Sequence, residues 1–80
     1  MEQITSRRNA LVAHMRKLGS SRSYRRAHGE FLCDGEKLLS EALSFGGRIR
    51  AMLIEKGETP PELPSGVRVA QVPGDLLRWV

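Results

Sequence analysis

The sequence contains one cysteine, Cys33, so no disulfide can form within the chain. Small secreted domains usually depend on several disulfides, and a lone cysteine offers no such framework. The N-terminus has no apolar core after its first charged residues, as a secretory signal would. No apolar run approaches the ~20 residues of a membrane-spanning helix. Together these absences predict a soluble, intracellular protein with no membrane partner, and we expect it to be cytoplasmic.

The sequence also has few patterns that suggest catalysis or cofactor binding. The segment Gly46–Arg48 lacks the spacing of a glycine-rich phosphate loop. Glu36 and Glu41 lie five residues apart with no histidine or metal-ligand spacing beside them, so we interpret them as a solvated helix face rather than an acid–base pair. Cys33, inside an apolar run, is interpreted as a small buried hydrophobe. We therefore predict no catalytic residue, cofactor-binding residue or metal ligand in this chain.

Positive charge is concentrated near the N-terminus. The net charge is +4, but residues 1–28 hold seven cations against a single acidic residue, Glu2, and the rest of the chain is slightly acidic. The cations are Arg7, Arg8, Arg16, Lys17, Arg22, Arg25 and Arg26. A segregated basic segment favours a polyanionic partner, usually nucleic acid.

The basic segment is predicted to be a helix followed by a loop. Residues 1–6 are expected to be extended, with Thr5 or Ser6 capping a helix over about residues 7–18. Leu11, Met15 and Leu18 fall at i, i+4 and i+7, which is typical of one buried stripe, and the arginines and Lys17 spread over the rest of the surface. Gly19 is expected to end this helix, and residues 20–26 to form an exposed loop.

The predicted loop has the composition of an RNA-binding segment. Guanidinium groups match phosphate oxygens bidentately, and the Tyr24 ring can stack on an unpaired base. The alternative is a solvated basic loop with Tyr24 folded back over the edge of the sheet. Charge alone leaves both interpretations open, because basic runs are common on surfaces that bind nothing.

The segment from Gly29 to Leu43 predicts a strand, a tight turn and a helix. Phe31–Cys33 is the expected strand, Asp34 and Gly35 form the turn with Asp34 as the helix N-cap, and an apolar stripe follows at helical spacing. The stripe consists of Leu38, Leu39, Ala42 and Leu43. Such a unit implies an α/β layer architecture.

The second half of the chain predicts two further strands and a last helix. Phe45–Gly47 should stop the preceding helix, and the apolar run 49–54 should be a buried strand, which completes a right-handed strand–helix–strand crossover over about residues 30–55. Residues 56–66 hold three prolines and should form a loop, followed by a strand at 67–72. A helix should begin at Pro73, and we expect Trp79 and Val80 to face further protein.

The expected fold class is therefore α/β, with a central, mostly parallel sheet flanked by helices in three layers. Residues 1–28 form the basic helix and arginine-rich loop in this interpretation, and residues 29–80 form the α/β domain.

Several of these motifs together resemble the N-terminal substrate-binding domain of the SpoU (TrmH-like) RNA ribose methyltransferases. The similarity covers residues 4–43 specifically, and later residues only in the order of their elements. It comprises an Asn after a Ser-Arg pair, an Arg-Arg pair before Gly-x-Phe, and Gly-x-x-Leu-x-x-Glu-Ala. The matching residues are Asn9, Arg25, Arg26, Gly29, Phe31, Gly35, Leu38, Glu41 and Ala42. At Asp34 these proteins commonly have Glu.

The resemblance implies a small domain similar to ribosomal proteins that bind kinked RNA. In the family, this domain is joined to a C-terminal knotted SPOUT domain that binds S-adenosylmethionine, forms a homodimer and methylates a ribose 2′-hydroxyl. The catalytic and cofactor motifs belong to that C-terminal domain, so this chain is expected to position ribosomal or transfer RNA without chemistry of its own. The expected contacts are Arg7, Arg8, Arg22, Arg25 and Arg26 with phosphates, and Tyr24 with a base.

Two other functions stay open on the sequence. One is a stand-alone RNA-binding or ribosome-associated protein of the same fold, and the other is a protein-interaction domain whose basic segment is incidental. RNA binding with a strong salt dependence would distinguish the methyltransferase domain and the stand-alone RNA-binding protein from the protein-interaction domain.

Overall fold

The computed structural model describes all residues from Met1 to Val80 and contains three strands and four helices. Their order in the chain is β1 (Glu2–Gln3), α1 (Ala10–Ser20), α2 (Arg22–His28), α3 (Glu36–Ser44), β2 (Ala51–Glu55), β3 (Arg68–Val72) and α4 (Gly74–Trp79). The α/β class is confirmed, and the bounds of β2 and β3 and the start of α4 lie within two residues of their predicted positions.

The three strands form a parallel sheet with the order β1-β3-β2. β3 is central: Ala70 pairs with Glu2 of β1 and with Leu53 of β2. The predicted parallel sheet is thus confirmed, whereas β1, which was predicted only as an extended lead-in, was missed as a strand. Parallel neighbours cannot be joined by a tight hairpin, and the predicted proline-containing loop provides the long connection from β2 to β3.

The core lies where β3 meets the first and last helices. Ala70 and Val72 are two residues apart on β3 and so point to the same face of the sheet. They form one buried cluster with three other residues, Ile4, Val12 and Leu76. The core therefore combines elements from both ends of the chain, and the structure does not separate residues 1–28 from the sheet.

Helix α1 begins and ends later than predicted. Asn9 is its N-cap, because its side-chain oxygen accepts hydrogen bonds from the N–H groups of Leu11 and Val12 at 2.9 and 3.3 Å. The prediction that Thr5 or Ser6 caps the helix was wrong. Gly19 does not end it either, since the helix continues to Ser20. Its buried residues are Val12, Met15 and Leu18.

The predicted arginine-rich loop is largely a helix, α2. Ser21 follows α1 directly, and its hydroxyl accepts a hydrogen bond from the Tyr24 N–H at 3.2 Å, which caps the new helix. Gly29 ends α2 in the left-handed conformation, with φ of 63°, where glycine is favoured. The loop prediction failed because the small polar residues that suggested a loop also include a good N-cap.

The predicted strand Phe31–Cys33 is absent. Residues 30–34 have no regular secondary structure, and β2 pairs only with β3, so this segment has no strand partner. The predicted crossover is wrong in its first strand for the same reason. Phe31 is 68% exposed, and Cys33 is half-buried rather than buried. A short apolar run does not form a strand unless a neighbouring backbone satisfies its N–H and C=O groups.

Helix α3 follows this segment and contributes no buried residue. Its N-cap is Gly35, with φ of 94°, and no side chain caps it, so the predicted capping by Asp34 was wrong. The predicted helix stop is confirmed, since α3 ends at Ser44 and Gly46 has φ of 78°.

Helix α4 closes the fold beside the core. Leu76 is buried, while Trp79 and Val80 are half-buried and pack against the core cluster. Neither this helix nor any other in the structure combines the length and the apolar content needed to cross a bilayer.

Candidate nucleic-acid interface

The arginines of α2 share one helix face. Arg22, Arg25 and Arg26 stand at i, i+3 and i+4, positions that are neighbours on a helix surface. Arg22 and Arg26 are exposed. Arg25 is half-buried, and its Nη1 donates a hydrogen bond to the carbonyl oxygen of Leu18 at 2.7 Å. Arg25 therefore ties α2 to α1, whereas Arg22 and Arg26 are available to a partner.

Tyr24 lies between the two N-terminal helices. Its hydroxyl is 2.6 Å from Nδ1 of His14, and its ring is 4.1 Å from that of His28 between centroids. Nζ of Lys17 is 5.6 Å from the centroid of the Tyr24 ring. These contacts are with α1 and α2 and not with the sheet. Tyr24 thus belongs to an aromatic cluster in which His28 already contacts its ring.

Arg7 and Arg8 precede α1 instead of lying on it, because Asn9 starts the helix. The Arg7 guanidinium lies 5.0 Å from the Trp79 ring centroid, and that of Arg16 lies 4.1 Å from the same centroid. Arg16 also donates a hydrogen bond to the Trp79 carbonyl oxygen. Contacts of a cation with an aromatic face hold these side chains while leaving their charge unneutralised.

No carboxylate neutralises the basic N-terminal segment. The ion pairs of the structure join Glu2 to Arg68, and Glu30 to both Arg50 and His14, and none includes an arginine or lysine of residues 1–28. Glu2 and Glu30, the acidic residues nearest in sequence, therefore pair with Arg68, Arg50 and His14 instead of with these cations. The segment presents a set of unpaired cations, which is the electrostatic pattern expected for a polyanion-binding surface.

Two carboxylates have pKa values shifted by these ion pairs. The pKa of Glu30 is lowered, first by the hydrogen bond with His14 (2.8 Å) and then by that with Arg50 (2.5 Å). The pKa of Glu2 is lowered and that of Arg68 is raised, chiefly by their mutual hydrogen bonds at 2.8 and 2.6 Å. Both carboxylates therefore keep their charge to a lower pH than an ordinary glutamate does.

Comparison with known proteins adds no assignment. No known protein family matches this chain, and no curated protein matches it. The functional interpretation therefore starts from the charge and geometry of the site.

The cluster of His14, His28 and Glu30 around Tyr24 was not predicted from the sequence. The sequence did contain a spacing that indicates it: Tyr24 and His28 are four residues apart, so a helix places them on one face. Interpreting residues 20–26 as a loop concealed that spacing. The ligand atoms of the two histidines and Glu30 all lie within 4.8 Å of one another.

A second surface feature is an open apolar depression beside α3, with a volume of about 510 Å³. Most of its lining is apolar, and it includes the exposed Phe31 and Phe45. Glu41 is the only ionisable carboxylate among the lining residues. The depression therefore lacks the convergent polar groups that fix a substrate or cofactor.

Proposed function

We propose that this chain is an RNA-binding domain whose contact surface is the basic segment from Arg7 to Arg26, and that it positions RNA for a ribose 2′-O-methyltransferase. The observation that carries the proposal is the concentration of cations in residues 1–28, where no arginine or lysine forms an ion pair with a carboxylate of the chain. Bringing such charges together costs electrostatic energy, which a polyphosphate backbone would offset.

In this proposal the exposed arginines contact the RNA, and the half-buried Arg25 positions them. Arg22 and Arg26 on α2, and Arg7 and Arg8 before α1, contact phosphates and so set affinity and its salt dependence. Arg25 holds α2 against α1 and places its neighbours. Recognition depends mainly on RNA shape, because the grooves of A-form helices are difficult for side chains to read directly.

Tyr24 has a narrower role than free base stacking. Because His28 contacts its ring and His14 its hydroxyl, Tyr24 offers a base only the ring surface that these contacts leave.

The methyltransferase part of the proposal is supported by the resemblance to the SpoU family. The depression beside α3 is apolar and offers few polar partners for S-adenosylmethionine. The contribution that we propose for these residues is RNA docking alone, and methyl transfer is assigned to a partner domain.

The proposal is tested by neutralising the two exposed arginines of α2. In the double variant Arg22→Gln, Arg26→Gln, we expect weaker binding to a structured RNA. We also expect the slope of log K against log[salt] to be smaller by about 0.7–0.9 for each phosphate that the variant no longer neutralises. Binding would be measured by fluorescence anisotropy over a series of salt concentrations.

A matched control is the double variant Arg48→Gln, Lys56→Gln, which removes the same charge from exposed residues outside the segment. Its affinity and salt slope should stay close to those of the wild type. Equal losses in both double variants would show that only net charge matters, and would contradict a defined binding surface on α2.

A further inference from the structure

Three potential metal ligands converge where α1, α2 and the segment after α2 meet. Nε2 of His14 is 2.8 Å from Oε1 of Glu30, and the rings of His14 and His28 are 5.1 Å apart between centroids. All three ligand atoms lie within 4.8 Å of one another. A tetrahedral zinc ion with bonds of about 2.0–2.2 Å needs ligand atoms about 3.4 Å apart. The cluster is therefore near the required spacing, and small side-chain rotations would reach it.

The parts of the cluster differ in rigidity, which suits closure around an ion. His14 and Glu30 have side chains only 27% and 18% exposed. The Glu30 backbone is fixed because its N–H donates to the Arg25 carbonyl oxygen at 3.2 Å, just after the left-handed Gly29. His28, in the last turn of α2, is exposed, so its side chain can rotate toward the other two ligands. Two ligands are thus held in place, while the third is free to move toward them.

The groups around the ligands also fit a metal site. Arg50 binds Oε2 of Glu30 at 2.5 Å and leaves Oε1 for the ion. With an ion bound, the Tyr24 hydroxyl, 2.6 Å from Nδ1 of His14, would accept the Nδ1 proton, which leaves the Nε2 lone pair for the ion. Outer partners of this kind orient metal-binding histidines and carboxylates.

We propose that His14, His28 and Glu30 bind one Zn²⁺ ion, with the two imidazoles and Oε1 of the carboxylate as ligands and water in the fourth position. Two histidines and a carboxylate form a known type of zinc ligand set. The ion takes the place of the hydrogen bond between Nε2 of His14 and Oε1 of Glu30, and the single ring proton of the neutral imidazole then lies on Nδ1, where the Tyr24 hydroxyl oxygen accepts it. The proposal differs from the sequence prediction that the chain holds no metal ligand, and it does not depend on RNA binding.

The test is calorimetric titration of the 80-residue chain with Zn²⁺, together with three variants. We expect one ion to bind per wild-type chain, and His28→Gln and Glu30→Gln each to weaken binding by at least about tenfold, the loss that even changes in outer partners cause. Cys33→Ser is the control, because Cys33 is the only thiol in the chain, and it should bind Zn²⁺ as the wild type does. His28 makes no hydrogen bond through its side chain, so His28→Gln should remain folded, which circular dichroism verifies.

A second readout is the visible absorption of Co²⁺ bound in place of Zn²⁺, which reports the geometry of the site. The wild type should give the intense band of a four-coordinate ion, and His28→Gln should lose it. Absence of stoichiometric binding by the wild type would overturn the proposal, as would unchanged binding in both His28→Gln and Glu30→Gln. Loss of binding in Cys33→Ser would assign the ion to a different site and would overturn it as well.

Discussion

Arginines that look alike in the sequence have different roles in the structure. Arg25 is half-buried and bound to the Leu18 carbonyl oxygen, whereas Arg26, its neighbour in sequence, is exposed. Arg7 lies against Trp79, and Arg50, outside the basic segment, binds Glu30. Sequence reasoning could identify the basic segment from its charge. It could not assign a role to each arginine, because each role depends on which carbonyl, ring or carboxylate the fold brings near that arginine.

Glu30 gives a prediction for the pH dependence of stability. Its pKa is lowered in the folded chain by His14 and Arg50, so the unfolded chain binds more protons in the acid range. The resulting stabilisation is fully present above the ordinary glutamate pKa of about 4.3 and is lost as the pH falls through the lowered pKa. We therefore expect the free energy of unfolding of Glu30→Gln to fall less steeply with decreasing pH than that of the wild type.

Urea unfolding at a series of acid pH values, with a chelator present, measures this difference. Glu62→Gln is the control, since Glu62 is exposed and forms no ion pair. The control should retain the steep wild-type dependence. The same steepness in Glu30→Gln would mean that the carboxylate is not paired in solution.

Among the elements, those with strong local signals were predicted well. β2 is a mostly apolar run, β3 is a valine-rich segment between Gly66 and Pro73, and α4 starts after Pro73, so composition and spacing were sufficient. β1 was missed because two polar residues carry no strand pattern. It forms because β3 offers a free edge: the Ile4 N–H donates to the Gln71 carbonyl oxygen at 2.9 Å. The same dependence on a partner explains why Phe31–Cys33, with a stronger pattern, is not a strand.

The contribution of β1 to the fold can be measured at Ile4, which follows the strand and is buried in the core. Removing one methylene there should destabilise the chain, and we expect Ile4→Val to cost about 0.5–1.5 kcal/mol in urea unfolding. The matched control is Ile49→Val, because Ile49 is half-buried and lies outside the core cluster. If Ile4→Val were as stable as the wild type, the N-terminus would not be packed as the structure shows.

At the scale of the whole molecule, the cations of residues 1–28 belong to the same fold as the slightly acidic residues 29–80. The core joins Ile4 and Val12 to β3 and α4, so the basic segment is part of the packed domain and not an appended tail. The concentration of positive charge was evident from the sequence, but the packing of the basic segment against the core was not. A rigid basic surface binds a shaped RNA with a smaller loss of conformational entropy than a loop would.

The central claim, that RNA binds the segment from Arg7 to Arg26, is tested most directly by mapping the contact surface in solution. Backbone amide signals of the isotopically labelled 80-residue chain would be followed by NMR while a structured RNA is added at low salt. We expect the shift changes to concentrate in the segment before α1, in α2 and on the exposed face of α1, and to diminish as salt is added. Shift changes centred on α3 and the apolar depression, or none at all, would contradict the account.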